Sequence, residues 1–130
     1  MFACSISNNE LTDYGDDMTA IKAIAGALSV SSSMKKIKVN ECELPIDVLK
    51  TGVEVDLSGQ NLQVEDVIII AACINVSSSM KKIKVNECEL PINVLKTGAE
   101  VNLSGQNLRV EDAIIIAACI NVSSSVNTLK

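Results

Sequence analysis

Ile37-Lys38-Val39-Asn40-Glu41-Cys42-Glu43-Leu44 decides how this chain is read. Its apolar residues fall at positions one, three, six and eight. The alternation of Ile37 and Val39 describes a short strand with one buried face. Cys42 and Leu44 then return the following turn to that same side. The frame recurs at Val55 to Leu62, with Gln60 at position six, and again at Ile83 to Leu90 and Val101 to Leu108. Near the N-terminus Cys4 to Leu11 fits it too, with Asn9 at position six. Around these octets the whole stretch from Ser31 to Val76 returns as Ser77 to Val122, at an offset of 46 residues. Only five positions differ: Asp47/Asn93, Val53/Ala99, Asp56/Asn102, Gln63/Arg109 and Val67/Ala113. A third copy begins at Ser123-Ser124-Ser125.

Five octets in register resemble the leucine-rich-repeat motif, in which apolar positions alternate and position six holds Asn or Cys. The resemblance covers nearly the whole chain. It implies an α/β fold: one solenoid domain over residues 1–130, containing near-identical repeats 31–76 and 77–122. Five parallel strands, with a sixth begun at Leu129, would line a concave sheet, and helices would alternate with short turns on the convex side. In this family the side chain at position six points inward and satisfies backbone groups of its loop. Cys42 and Cys88 take that place, and Gln60 and Gln106 are unusual substitutes that need buried partners. Strand starts at Ile37, Val55, Ile83 and Val101 give units of 18 and 28 residues in alternation. The long unit is similar to the ribonuclease-inhibitor type, and the short one departs from it.

The return segments differ between units. After Leu11, acidic Asp13, Asp16 and Asp17 precede Met18, Ile21, Ile24, Ala25 and Leu28, a spacing that predicts an amphipathic helix. Val64-Glu65-Asp66 opens the next long return, and the apolar run Val67 to Ile74 follows. Such a run suits a buried strand or a helix; the repeat spacing and the acidic first turn favour a helix. In the short unit, Pro45 suits a first helical position and Thr51-Gly52 ends the segment after a turn or two.

Composition excludes several function classes. A chain of 130 residues is long enough for one substantial core. There is no His, so every His-based triad, dyad and metal cluster is ruled out. No catalytic residue, cofactor site or metal site is expected. Five cysteines, an odd number set within apolar patterns, read as buried thiols of an intracellular, cytoplasmic protein and not as a disulfide framework. Met1 to Ser5 lacks the features of a signal peptide. No apolar run is long enough to span a membrane. Without a secretory signal, the triplets at Asn75, Asn102 and Asn121 read as chance matches to the glycosylation pattern. The net charge of −5 and the absence of a basic stripe argue against nucleic acid. With one Phe, one Tyr, no Trp and only Arg109 as arginine, the chain is poor in the residues that dominate interface energetics.

The expected binding surface is the outward face of the strands. Across adjacent strands its rows read Lys36, Glu54, Lys82, Glu100; then Lys38, Asp56, Lys84, Asn102; then Asn40, Ser58, Asn86, Ser104. Opposite charges would face each other on neighbouring strands. They either fix the sheet register or offer a charged docking surface for a protein partner. Two functions follow: a protein–protein interaction module using that face, or a structural element that assembles with itself through its ends or its apolar convex side. The first, resting on analogy with the family, is the main expectation; the near-identity of the copies, the lack of obvious polar end caps and the apolar run Val67 to Ile74 support the second as the alternative. A copy broken off at residues 123–125 suits either a piece of a longer array or ends that pair with another chain.

Overall fold

The computed structural model describes residues 3–6, 18–40, 42–97, 100–105, 108–122 and 128–129. The first strand, β1 (Ala3–Ser5), leads to helix α1 (Thr19–Val30). The octet at Ile37 then forms β2 (Lys36–Lys38) and a second strand, β3 (Glu43–Pro45), followed at once by the six-residue helix α2 (Ile46–Thr51). Next come β4 (Glu54–Asp56) and the long helix α3 (Val64–Val76). The second copy gives the same succession: β5 (Lys82–Lys84), β6 (Glu89–Pro91), α4 (Ile92–Thr97), β7 (Glu100–Val101) and α5 (Val110–Val122). A last strand, β8 (Thr128–Leu129), pairs with β7.

Burial follows the octet's apolar pattern: Ile37, Val39, Cys42 and Leu44 are all buried, as are Ile83, Val85, Cys88 and Leu90. The direction of the backbone does not follow the expected solenoid. Residues 43–45 turn back and run antiparallel to β2, with Lys36 opposite Pro45, Ile37 opposite Leu44 and Lys38 opposite Glu43. A strand has only two edges. One edge of β2 carries β1, in parallel, and the other carries β3. Nothing is left for β4, which pairs instead with β5 of the second copy. The strands therefore form two separate three-stranded mixed sheets, β1-β2-β3 and β4-β5-β6, and a two-stranded pair, β7-β8. The leucine-rich-repeat solenoid with one concave parallel sheet is overturned by this pairing. A hairpin needs only a short connection, whereas a parallel neighbour needs a long crossover, so the local pairing forms where four residues separate Lys38 from Glu43.

The second octet departs further. Gln60, expected inside, is exposed, and no second strand forms between β4 and α3. The Asp56 carboxylate accepts hydrogen bonds from the Ser58 N–H and hydroxyl, closing a turn. Gly59 continues it at φ 76° and Asn61 sits at φ 55°, so the chain enters α3 through left-handed backbone instead of a hairpin. Gln106, Asn9 and the acidic cluster at 13–17 lie outside the described residues.

The three long helices pack side by side, α3 between α1 and α5. This is why Val67 to Ile74 is apolar nearly all round: a helix flanked on both sides and resting on strands has little solvent face. The Lys50 ammonium donates to the carbonyls of Leu28 and Ser31 at the end of α1, and Lys96 donates to those of Ile74 and Ser77 at the end of α3. Each lysine thus satisfies carbonyls that the helix leaves open and complements its negative end. Burial pulls the Lys96 pKa below the ordinary lysine value.

Gly52 ends α2 because no side chain fits there: a Cβ would lie 2.6 Å from the Val48 carbonyl oxygen. Gly52→Ala is expected to cost about 1–3 kcal/mol through that clash, outweighing the roughly 0.4–1 kcal/mol that a Gly→Ala change can contribute through the unfolded chain. Urea unfolding measures the difference; an alanine variant as stable as the parent would overturn this account of the stop.

Candidate functional site

Of the three sheets, β4-β5-β6 gathers the densest set of charged side chains. Ile83 and Leu90 point into the core from its underside, with Val55 partly buried beside them. The alternate positions carry Glu54, Asp56, Lys82, Lys84 and Glu89 on the other face. Register sets Glu54 opposite Lys82 and Asp56 opposite Lys84 across the parallel pair, and Lys84 opposite Glu89 across the antiparallel one. The Lys82 ammonium lies 4.0 Å from the Glu54 carboxylate and 3.7 Å from that of Glu89, bridging both neighbouring strands. These side chains are more than half exposed, between 51% and 64%. Together with Val55, the five charged residues line a shallow depression of about 370 Å³. Its acid at Asp56 is held below the usual carboxylate range, chiefly by the hydrogen bonds from Ser58, so it stays ionised.

The expected rows are thus broken into parts. Glu54, Asp56, Lys82 and Lys84 come together. Lys36 and Lys38 lie in the other three-stranded sheet, where Lys36 pairs with Glu43 at 3.7 Å and not with Glu54. The strand holding Glu100 pairs with β8 and not with β5. Asn102 accepts from the Ser104 N–H and hydroxyl, repeating the Asp56–Ser58 turn. Asn40 is not on the sheet face. Its amide donates to the Asp66 carboxylate at 3.1 Å and to Glu65 at 3.3 Å. Asn86 does the same to Asp112 at 3.1 Å. Ser58 and Asn86 instead line a second depression of about 390 Å³, with Arg109, Glu87 and Glu111. The residue that sequence reasoning missed is Glu89. Its octet position was read as a turn, and only the antiparallel return of β6 brings its carboxylate to Lys82.

Among the described residues, Asp66 and Asp112 are the two fully buried acids. Each stands at the third position of its helix and accepts the backbone N–H three residues earlier, from Gln63 and Arg109 respectively. In α3 this is one half of a reciprocal cap, completed by the Gln63 side chain. One oxygen of each carboxylate, Oδ1, has no hydrogen-bond partner. Burial is the largest influence on Asp66 and pushes its pKa up, against the pull of the Gln63 and Asn40 hydrogen bonds.

The thiols offer little chemistry. All five cysteines are free. Burial drives Cys73 and Cys119 up to about 11, and raises Cys42 and Cys88 with help from Asp66 and Asp112, so at neutral pH they are protonated thiols and poor nucleophiles. Among the described residues no three His, Cys, Asp or Glu side chains are grouped to hold a metal ion. Nor is any helix among them long and apolar enough to cross a membrane. Comparison of the chain with protein-family models, curated proteins and solved structures finds no match.

Proposed function

We propose that this is a non-enzymatic protein–protein interaction module that docks a protein partner on the charged face of the β4-β5-β6 sheet. The observation that carries this reading is the Glu54–Lys82–Glu89 bridge, with Asp56 and Lys84 beside it, around an open depression. Exposed ion pairs contribute only about 0–1 kcal/mol each, so a partner presenting its own carboxylates and ammonium groups can exchange with them at little cost. The lysines then recognise acidic side chains and the acids basic ones, which sets orientation and on-rate more than raw affinity. The reading assigns no cofactor, no nucleic acid and no membrane. Free, protonated thiols suit a reducing compartment such as the cytoplasm.

The test is a charge reversal, Lys82→Glu with Lys84→Glu, against a control reversal at exposed Lys35. A partner captured by the parent protein is expected to bind the double variant at least about tenfold more weakly, with an on-rate that falls with salt in the parent. Equal capture by parent and double variant would remove this face from the function.

A further inference from the structure

We propose that the protein associates head to tail with a second copy of itself, the outer face of α5 in one molecule seating against the outer face of α1 in the next.

The argument rests on positions spaced by 46 residues. Helix α1 buries Ile21, Ala25 and Leu28, and α3 is the helix packed against it. The corresponding residues of α3, Val67, Ala71 and Ile74, are buried as well, and α5 is the next helix in line. In α5 the same three positions are Ala113, Ala117 and Ile120; the two alanines are exposed and the isoleucine is only partly buried. The complementary face repeats in the same way. Ile69 and Cys73 of α3, and Ile115 and Cys119 of α5, are fully buried about half a helical turn from the first set. Their counterparts in α1 are Ala23 and Ala27, both exposed, and the stripe extends to exposed Ala20 and to Val30, which is 82% exposed. Each free face is therefore the copy of a face that this chain already covers with another of its own helices. The α5 face matches what α1 and α3 offer forwards, and the α1 face matches what α3 and α5 offer backwards.

Each free face is the equivalent of a face that meets an unlike one inside this chain, which favours unlike faces over like ones. The α1 and α5 faces are lined mainly by alanine, which allows two helix axes to approach to the short end of the usual 8–10 Å. Neither stripe contains a charged side chain. A contact of unlike faces is heterologous and leaves a free face on each new molecule, so association is open-ended.

Sedimentation equilibrium of the full chain tests this with two exposed-site variants, Ala23→Glu and Ala117→Glu, whose fold is checked by circular dichroism. The weight-average mass of the parent is expected to rise with concentration beyond twice the 13.8 kDa monomer. Each variant alone is expected to stay monomeric. An equimolar mixture is expected to stop at dimers, because Ala23→Glu keeps its α5 face and Ala117→Glu keeps its α1 face. A parent that is monomeric at every concentration overturns the proposal. So does an Ala23→Glu variant that still dimerises by itself, which would mean that like faces pair. Should either glutamate variant lose its fold, Ala20→Lys and Ala113→Lys carry the same comparison.

Discussion

Replacing Ala71 with glutamate is expected to unfold the protein, whereas the identical change at Ala117 is expected to leave it folded. The two alanines occupy the same place in near-identical 46-residue copies, so local propensity cannot distinguish them. Their surroundings do. Ala71 is buried within the core cluster in α3, which has helices on both sides, while Ala117 is exposed on α5. A carboxylate forced into the first site loses its hydration and costs several kcal/mol even after relaxation, a large part of the ~5–15 kcal/mol that holds a domain together. At the second it projects into water, where surface changes stay within about 0.5 kcal/mol. Thermal melts of the two variants measure the contrast. Equal losses at both positions would mean that α3 is not the middle helix of the three.

Asp66 provides the second large effect, and its sign reverses with the substitution chosen. Asp66→Ala removes the acceptor of the Gln63 N–H and one of the two acceptors of the Asn40 amide, both part-buried bonds to a charged group worth about 1.5–3 kcal/mol each. Relief of the buried carboxylate offsets part of that, for an expected net loss on the order of 2 kcal/mol. Asp66→Asn keeps an oxygen for both donors and removes the charge. Burial raises the folded-state pKa of Asp66, so the folded protein holds this proton more tightly than the unfolded chain. The stability that comes with it is fully present below the ordinary aspartate range, about pH 4, and is lost as pH rises through the elevated folded value. Relative to the parent, the asparagine variant is therefore expected to gain stability as pH is raised from about 4 towards neutrality. Urea midpoints at a series of pH values read this directly. A parallel pH dependence in parent and variant would show that Asp66 is no more buried electrostatically than an exposed carboxylate.

The contrast between what could and could not be read in advance lies in the octet itself. That Ile37, Val39, Cys42 and Leu44 share an inner side follows from their spacing, and all four are buried. Whether the chain then continues forwards or doubles back does not follow, because a side-chain pattern specifies a face and is silent on strand direction. Leu44 meets the core equally well from a turn and from an antiparallel strand. The parallel solenoid was the expectation that the resemblance to leucine-rich repeats implied, and the octet's side-chain pattern could not contradict it. The helix over 64–76 was legible from its acidic start and the repeat spacing. The charged rows were legible only where the next strand is a true neighbour: Glu54 with Lys82 and Asp56 with Lys84. They failed at Lys36, whose neighbouring edge β3 occupies. Glu89 could have been found had Glu43-Leu44-Pro45 been weighed as a strand, since a proline at a strand's end is compatible with a sheet edge. The burial of Asp66 had a faint signal in Asn40, a polar residue between inward-facing Val39 and Cys42 whose spacing placed it on the outward face.

The forward pairing of β4 with β5 has a kinetic consequence. The segment duplicated in the sequence and the segment that closes a sheet are out of phase. Residues 31–76 alone contain β4 but not its partner, so a chain emerging during synthesis holds Glu54–Asp56 unsatisfied until Lys82–Lys84 has been made. Meanwhile the β2–β3 and β5–β6 hairpins, each formed from residues close in sequence, are the local contacts that form early. Folding should therefore proceed from two independent hairpins towards a slower step that joins β4 to β5 across α3. Because the copies are nearly identical, that joining step is also where strands from two unfolded molecules would most readily exchange.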